Sequence, residues 1–136
     1  MPSCIFCDIV NGKRSCYEIY HDNNIIAILD KYPIDIGHSL VITKKPYEKL
    51  TDMGSQEVAE LFSKIPKIAN AIIKATNADA FSIAQNNGKA AKQIIPHVHV
   101  HIIPRYSKTG TLWLKRKILR DNELDELAQK IRNCME

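Results

Sequence analysis

Residues 97–103 carry the strictest alternation in this 136-residue chain, His-Val-His-Val-His-Ile-Ile. Successive side chains of a β-strand point to opposite faces, so the pattern puts His97, His99 and His101 together on one face. Val98 and the other intervening aliphatic residues then enter a core on the opposite face. On a helix the three imidazoles would be scattered around the axis. The segment therefore predicts a strand with three aligned histidines.

Three explanations account for such a row of imidazoles. A solvated sheet face is one, although histidine has poor strand propensity and protonated neighbours repel each other. A zinc site is another, since three imidazoles and a water form an open catalytic site. Same-face residues lie about 6.6 Å apart along a strand, so a site on one ion needs strong curvature or a third ligand from elsewhere. The third is nucleophilic catalysis, in which one imidazole attacks phosphorus while its neighbours orient it and bind charge.

A polar loop just before the histidine strand favours the third explanation. Residues 85–93 read Gln-Asn-Asn-Gly-Lys-Ala-Ala-Lys-Gln. Backbone N–H groups and amide side chains in such a loop can hold phosphate oxygens, and Lys89 and Lys92 attract an anion. Phosphorus chemistry on a bound anionic substrate is therefore the leading hypothesis.

The other strand signals follow one another as hairpins. Runs of β-branched, aliphatic and aromatic residues are separated by short polar turns rather than by helical segments. The expected strands span 17–20, 25–30, 39–43, 80–85 and 97–103. Without βαβ alternation, this order indicates an α+β fold, an antiparallel sheet of about five strands backed by helices.

The helix signals lie between and after these strands. Apolar residues at steps of three and four predict one amphipathic helix over 55–76, bent at Pro66. A last helix is expected over 123–133, with Asn122 as its N-cap. The segment 4–10 is short and apolar, and an Asn-Gly turn closes it.

Length and composition are those of an ordinary globular domain. The length predicts one domain over 1–136, with a C-terminal tail and helix from about residue 107. A hydrophobic share of 45% and a charged share of 25% argue against disorder or a coiled-coil rod. No apolar run approaches the roughly 20 residues that cross a bilayer, so no membrane partner is expected. The formal net charge of +4 mildly favours anionic ligands.

The N-terminus lacks the basic start and long apolar stretch of a secretory signal, so we expect a cytoplasmic location. In that compartment cysteines are reduced thiols or metal ligands rather than parts of a disulfide framework. The chain has four of them: Cys4, Cys7, Cys16 and Cys134.

Two separate motifs resemble the histidine-triad (HIT) family. Residues 97–103 resemble the family signature His-x-His-x-His-x-x, in which x is aliphatic. Residues 25–43 resemble a second motif, in which Asp30 is followed eight residues later by His38 and an aliphatic strand. The resemblance covers most of the chain and implies a HIT-like fold and a homodimer whose sheets join side by side. It also implies a nucleotide hydrolase or transferase that works through a covalent nucleotidyl-histidine and requires no cofactor for catalysis.

The resemblance assigns a role to each matching residue. His99 would be the nucleophile on the α-phosphate, His101 would contact phosphate oxygens or the leaving group, and His97 would position the others. Asp30 would bind the ribose hydroxyls of an AMP-type purine nucleotide, which suits a carboxylate with two acceptor oxygens. The other matches are two amides beside the phosphate and an apolar purine pocket: Asn86, Gln93, Ile5, Phe6, Ile9, Ile28 and Leu29.

The pair Cys4 and Cys7 resembles the N-terminal zinc pair of many microbial members. In those proteins the thiolates are joined by the first triad histidine, here His97, and by a histidine after the third strand. Pro46 stands where that last histidine is expected. A structural zinc site is closed by four ligands, so a zinc here would need His38 or water as a substitute. Two ordinary buried thiols are the alternative.

Other functions remain open from the sequence. One is a metal-dependent phosphohydrolase that uses the histidine cluster, and another is a nucleotide-binding or zinc-stabilised interaction protein without turnover. The substrate is equally open between a nucleoside phosphoramidate and a dinucleoside polyphosphate. No nucleic-acid partner is expected, since the basic residues around Trp113 are typical of a solvated face. Cationic neighbours are expected to hold the pKa of His99 at or below its ordinary value of about 6.5.

Overall fold

A computed structural model describes residues 4–108 and 118–135. Its centre is an antiparallel sheet with strand order β1-β2-β3-β5-β4. The strands are β1 (Glu18–His21), β2 (Ile25–Leu29), β3 (Ser39–Thr43), β4 (Ala80–Ala84) and β5 (His99–Arg105). The α+β class and the five predicted strands are confirmed, with ends that shift by one or two residues.

Helices flank the sheet, and one of them corrects a prediction. The helices are α1 (Ile5–Val10), α2 (Ser55–Ser63), α3 (Ile65–Thr76) and α4 (Asp121–Cys134). The single bent helix predicted over 55–76 is wrong, because the chain breaks at Lys64 into α2 and α3. Pro66 lies in the first turn of α3, where its missing N–H costs no helical hydrogen bond, so it begins a helix instead of bending one.

The last helix begins two residues earlier than predicted. Its N-cap is Arg120, not Asn122. The side chain of Glu123 accepts hydrogen bonds from the backbone N–H and the Nε of Arg120, which caps the first turn. Among the described residues no helix is long and apolar enough to cross a membrane. Trp113 and its basic neighbours lie outside the described residues.

Strand β5 continues past its predicted end, through Pro104 to Arg105. Its pairing with β3 stops where Ser39 meets Ile102, and within the described part of the chain residues 103–105 pair with β4 alone. A proline is tolerated at a position where one side of the strand has no ladder partner.

Apolar side chains pack on both faces of the sheet. The larger cluster lies against α3 and α4 and includes Val98, Val100 and Ile102, the residues that alternate with the histidines. The opposite face carries a smaller cluster under α1. Its buried members are Phe6, Ile9, Ile26, Ile28, Leu40 and Ile42. Helix α1 therefore covers the sheet face on which a functional site can form.

Candidate active site

The three triad histidines lie on the sheet face that α1 covers. Leu40 is directly opposite His101 in the β3–β5 ladder, and Ile42 is directly opposite His99. Residues directly opposite each other share a face, and both belong to the cluster under α1. His97, just before β5, is fully buried, His99 is 8% exposed, and His101 is half-buried. Exposure to solvent thus increases along the row.

The ring of His99 has a defined orientation. Its Nδ1 lies 2.7 Å from the backbone carbonyl oxygen of His97. A carbonyl oxygen only accepts hydrogen bonds, so Nδ1 carries the proton and Nε2 holds the lone pair of the neutral ring. The ring of Phe6 packs edge-on against it, with 4.9 Å between the ring centroids.

Burial lowers the pKa of His99 more strongly than any other influence. The nearby His97 lowers it further, whereas the hydrogen bond to the His97 carbonyl and the charge of Asp30 raise it. The direction matches the sequence expectation, but the main cause is desolvation rather than cationic neighbours. Nε2 therefore keeps its lone pair to a lower pH than an exposed imidazole would.

His97 joins α1 to the end of β3. Its Nε2 lies 2.6 Å from the carbonyl oxygen of Thr43, so Nε2 carries the proton. Its Nδ1 lone pair then faces two sulfur atoms, Cys4 Sγ at 3.3 Å and Cys7 Sγ at 3.5 Å. Burial is the main influence on His97 and lowers its pKa, while the bond to the Thr43 carbonyl raises it.

The donor atoms of Cys4, Cys7 and His97 lie within 4.8 Å of one another. Sulfur and imidazole nitrogen are the donors that zinc prefers. Within the described parts of the chain, the group contains no fourth cysteine, histidine or carboxylate. The expectation that His38 substitutes for the missing ligand is wrong, because His38 is hydrogen-bonded to His101.

His101 is hydrogen-bonded to His38, and its ring packs against that of His99 with 5.0 Å between the ring centroids. The Nδ1 of His101 lies 2.9 Å from the Nε2 of His38, a residue that is fully buried. The other nitrogen of His38, Nδ1, accepts the backbone N–H of Ile34 at 3.0 Å. Asp30 lies beside this pair, with its Oδ2 3.6 Å from His38 Nε2, and its Oδ1 accepts the backbone N–H of Tyr32.

The two predicted phosphate-side amides lie in the loop between β4 and β5. Gln93 is buried, and its Oε1 accepts the backbone N–H of Gly88 at 2.7 Å while its Nε2 donates to the carbonyl of Glu48 at 2.6 Å. These two hydrogen bonds of Gln93 therefore stabilise the loop. Asn86 is half-buried and follows β4, whose last residue lies opposite His101. Contacts of either amide with phosphate stay predictions.

The predicted apolar pocket divides between the two faces of the sheet. Phe6, Ile9 and Ile28 belong to the cluster under α1, beside the histidines. Ile5 is 42% exposed at the start of α1. Leu29 packs in the larger cluster on the opposite face, so its assignment to the pocket is wrong. The reason is the alternation of a strand, which turns Leu29 away from its neighbour Ile28.

The triad imidazoles do not converge on one point. Among the described residues, two groups are compact enough to hold one ion: Cys4, Cys7 and His97, and Asp30, His38 and His101. Neither group contains more than one triad histidine. The zinc explanation in which all three triad imidazoles bind one ion is therefore not supported by the arrangement.

Two contacts that orient the site had no signal in the sequence. They are the backbone N–H of Ile34 and the backbone carbonyl of Thr43, which hold His38 and His97. Every residue carries such groups, so only the folded chain reveals which ones meet an imidazole. His38 itself did have a signal, since it stands eight residues after Asp30.

Comparison with known proteins shows which family this chain belongs to. The model of the HIT domain matches residues 11–108. Adenylylsulfatase HINT3 of Arabidopsis thaliana is 41% identical over 133 residues, which are 97% of this chain and 67% of that protein. Adenosine 5'-monophosphoramidase hnt1 of Schizosaccharomyces pombe is 36% identical over 103 residues, which are 76% of this chain and 74% of that protein.

Solved structures agree with this result. A HIT-like protein from Bartonella henselae superposes with a TM-score of 0.89 at 32% identity, covering 99% of this chain and 98% of its own. A Zn-bound histidine triad family protein from Mycobacterium smegmatis superposes with a TM-score of 0.85 at 37% identity, covering 97% and 92%. With its aligned histidines, its five-stranded sheet and these matches, the chain belongs to the HIT family, whose members include nucleotide hydrolases.

Proposed function

We propose that this protein hydrolyses or transfers the nucleotidyl group of an adenosine nucleotide at its α-phosphorus, through a covalent intermediate on His99. The observation that carries the proposal is the hydrogen bond from His99 Nδ1–H to the His97 carbonyl at 2.7 Å. It directs the lone pair of Nε2 away from the backbone, and burial keeps that nitrogen unprotonated. A neutral, oriented imidazole is what nucleophilic attack on phosphorus requires.

The reaction takes two steps. In the first, His99 Nε2 forms a bond to the α-phosphorus while the bond from phosphorus to the leaving group breaks, and the leaving group takes the electron pair. In the second, water forms the new bond to phosphorus, the phosphorus–nitrogen bond breaks, and AMP leaves with the neutral imidazole restored. An alcohol or amine in place of water makes the second step a transfer.

The surroundings of His99 suit an AMP group. Lys89 and Lys92 are exposed on the loop before the triad and add positive charge for an anionic substrate. Asp30 is the proposed partner of the ribose hydroxyls, and Asn86 that of the phosphate. Phe6 and its apolar neighbours under α1 are proposed to line the purine pocket, because a flat ring system favours aromatic and aliphatic walls.

The names of two relatives narrow the substrate class. One relative is named as an adenylylsulfatase and the other as an adenosine 5'-monophosphoramidase. Both names describe an adenosine 5'-phosphate with a small leaving group on the α-phosphorus. We take adenylyl sulfate and adenosine phosphoramidate as the two candidate substrates of this chain, ahead of dinucleoside polyphosphates.

Zinc is implied for this fold by the Zn-bound relative, and three donors of the chain fit it. Cys4, Cys7 and His97 would hold the ion, which would add a cross-link between the start of α1 and the start of β5. Without the ion, the same cross-link is made by the contacts from the two sulfurs to His97 Nδ1. Neither step of the proposed reaction uses the metal.

A homodimer is the proposed assembly, and edge strand β4 supports it. Among the described residues β4 pairs only with β5, which puts it at one edge of the sheet. Phe81 and Ile83 on this strand are 45% and 41% exposed. An edge strand with large exposed apolar residues is typical of a surface that pairs with another chain.

Single-turnover experiments test the proposed chemistry. Protein is mixed with adenylyl sulfate, quenched in base and digested, and the peptide containing His99 is analysed by mass spectrometry. We expect an AMP adduct on that peptide and a loss of turnover of about 10⁴-fold or more for His99→Ala, as for the removal of a nucleophile. His21→Ala is the matched control, because His21 is an exposed residue at the end of β1 whose ring is bonded to Glu18.

Two outcomes would contradict the proposal. Nucleotide binding without turnover of either candidate substrate would identify a non-catalytic binding protein. Turnover that survives in His99→Ala, with no adduct in the wild type, would remove His99 as the nucleophile.

A further inference from the structure

A cavity of about 100 Å³ lies where β2 begins and β3 ends, against helix α2. Apolar side chains line part of it, and they come from Ile25 of β2, Leu61 of α2 and Met53 in the segment before α2. Ile25 and Leu61 are buried in the larger cluster, so this apolar wall is held in place by the packing of the core. The residues that line this α2 cavity belong neither to the triad nor to the loop 85–93.

Two charges of opposite sign also line the α2 cavity. Glu60 of α2 and Lys44, just after β3, are both half-buried. Within the described part of the chain, neither side chain has an ion-pair partner. The Glu60 carboxylate accepts one long hydrogen bond, from Gln56 Nε2 at 3.4 Å. A half-buried charge without a counter-ion is less well solvated than an exposed one, so each of the two favours a ligand group of opposite sign.

The second charged pair of the cavity is already satisfied. Lys45 Nζ lies 3.7 Å from Glu57 Oε2, and Glu57 Oε1 accepts the backbone N–H of Gly54 at 3.1 Å. The two pairs bring equal numbers of positive and negative charges to the cavity. The cavity therefore favours a molecule of zero net charge that carries one group of each sign.

We propose that the α2 cavity binds a small α-amino acid as a zwitterion, with its ammonium group on Glu60, its carboxylate on Lys44 and its side chain on the apolar wall. Pockets for larger ligands run to about 300 to 1,000 Å³, so a nucleotide does not fit. A closed cavity of about 150 Å³ holds benzene, which is about the size of alanine. The α2 cavity is partly open to solvent, so it can accept such a molecule with its charged groups at the rim. This site goes beyond the proposed function and does not depend on it.

Two residues that line the α2 cavity are bonded directly to the histidine strand. The Thr43 carbonyl accepts the Nε2–H of His97 at 2.6 Å. The Tyr47 carbonyl accepts the backbone N–H of Val98 at 2.7 Å. A ligand that displaces either of these wall residues changes a hydrogen bond at the start of the histidine strand. Occupancy of the cavity is therefore coupled to the position of His97, whose own carbonyl holds the proposed nucleophile.

Binding is tested with L-alanine and two analogues that each lack one of its charges. Ethylamine keeps the ammonium group, and propionate keeps the carboxylate. ¹H–¹⁵N correlation spectra of the full chain are recorded during titration with each probe at constant pH and ionic strength. We expect saturable shifts of the amides of Ile25, Lys44 and Leu61 with L-alanine, and binding of either analogue about 10-fold weaker or more, because each loses one charged hydrogen bond. Equal binding of the three probes, or no saturable shift with millimolar L-alanine, would overturn the proposal.

Two variants of similar side-chain size test the charged contacts one at a time. We expect Glu60→Gln to weaken L-alanine binding by about 10-fold to 100-fold without weakening propionate binding. Lys44→Met should weaken L-alanine binding by a similar factor without weakening ethylamine binding. The controls are Glu126→Gln and Lys130→Met, which change exposed residues of α4 and should bind L-alanine as the wild type does. Wild-type affinity in both cavity variants would place the amino acid elsewhere and contradict the proposed site.

The coupling to the histidine strand has its own readout in the same spectra. The Val98 N–H signal reports the bond to Tyr47, and the Nε2–H signal of His97 reports the bond to Thr43. We expect both signals to shift along the same titration curve as the amides that line the cavity. L-alanine binding that leaves both signals unchanged would refute the coupling. These spectra require no turnover, so they remain decisive even if the protein hydrolyses neither candidate substrate.

Discussion

At the scale of single residues, burial is the main influence on the protonation of His97 and of His99, the proposed nucleophile. His97 is fully buried and His99 is 8% exposed, and burial is the largest influence that lowers the pKa of each. Each ring also donates one N–H to a backbone carbonyl, which favours the charged form and opposes the effect of burial. The net direction favours two neutral rings, one facing sulfur and one facing the proposed substrate site.

The first prediction concerns the pH dependence of turnover. A lowered pKa keeps His99 neutral as pH falls through the ordinary histidine range, so activity is present above that pKa and is lost below it. We expect the acidic limb of kcat/KM, which reports the free enzyme, to lie below about 6.5. The measurement is a kcat/KM profile between pH 4.5 and 8. An acidic limb above 7 would contradict the burial argument.

Folding stability depends on pH in the same direction as activity. The unfolded chain takes up protons on both rings below about pH 6.5, whereas the folded chain resists them. Folding stability contributed by His97 and His99 is therefore present above that pH and declines as pH falls below it.

At the scale of elements, one turn shows how closely the helices and strands pack around the site. Gly37 precedes His38 with a φ of +94°, a backbone conformation that favours glycine. A Cβ atom there would lie 2.9 Å from Thr76 Cγ2 of α3 and 3.0 Å from Pro104 Cγ of β5. The turn that positions His38 is therefore pressed against two other elements.

We predict that Gly37→Ala destabilises the protein by about 2 to 4 kcal/mol, from backbone strain combined with the clash against α3 and β5. Gly12→Ala is the matched control, since Gly12 has a φ of +75° and open space around the added Cβ. The control should lose only about 1 kcal/mol. Urea unfolding measures the free energy of unfolding of both variants. Equal losses of stability would show that Thr76 and Pro104 move aside at little cost.

A second element-scale feature is the loop after β3, which runs beside the metal donors. The Thr43 carbonyl holds the ring of His97, and the Tyr47 carbonyl accepts the backbone N–H of Val98. Residues 44–46 are therefore held between two attachments to the start of the histidine strand. A ligand at position 46 would complete the set formed by Cys4, Cys7 and His97.

We predict that Pro46→His tightens zinc binding. In metalloproteins, removing a residue that only hydrogen-bonds to a metal ligand lowers the metal affinity by about 10-fold to 100-fold. A new direct ligand should therefore raise the zinc affinity by at least as much. Competition with a chromophoric chelator measures the affinity, and Pro46→Ala controls for loss of the proline. Equal affinity in the His and Ala variants would mean that the site does not reach position 46.

At the scale of the whole molecule, the outer edge of the sheet is the feature that bears on assembly. Ile83 lies directly opposite Ile102 and so shares the face on which the larger cluster packs. Phe81, two residues away, lies on the same face, and both remain over 40% exposed at the end of the sheet. The apolar face thus continues beyond the part that the helices cover.

We predict that Phe81→Lys combined with Ile83→Lys converts a dimer into a monomer. A charge at each exposed apolar position opposes pairing of edge strands. Ile118→Lys serves as control, because Ile118 is an aliphatic residue that is 89% exposed and lies outside the strands of the sheet. Sedimentation velocity gives the mass in solution. A wild type that sediments as a monomer, or a double variant that stays dimeric, would contradict the proposed interface.

The sequence by itself determined the features of the fold that depend on short-range periodicity. The alternation of His97, His99 and His101 with aliphatic residues specifies a strand and assigns each side chain to a face, because the period of two is a property of the strand alone. The same rule would have separated Leu29 from Ile28, and the pocket assignment failed where a resemblance was followed instead. The break at Lys64 also had a local signal, since proline fits the first turn of a helix better than its middle.

What only the tertiary structure decided is which distant groups meet. The pairing of β3 with β5 brings His38 to His101 and the Thr43 carbonyl to His97, and helix α1 brings two cysteines to the same ring. These contacts join residues 54 to 93 positions apart. Their geometry depends on strand register and on backbone groups that every residue carries, so no local pattern can encode them. The proton positions on the imidazoles follow from those contacts, and with them the proposed chemistry of the site.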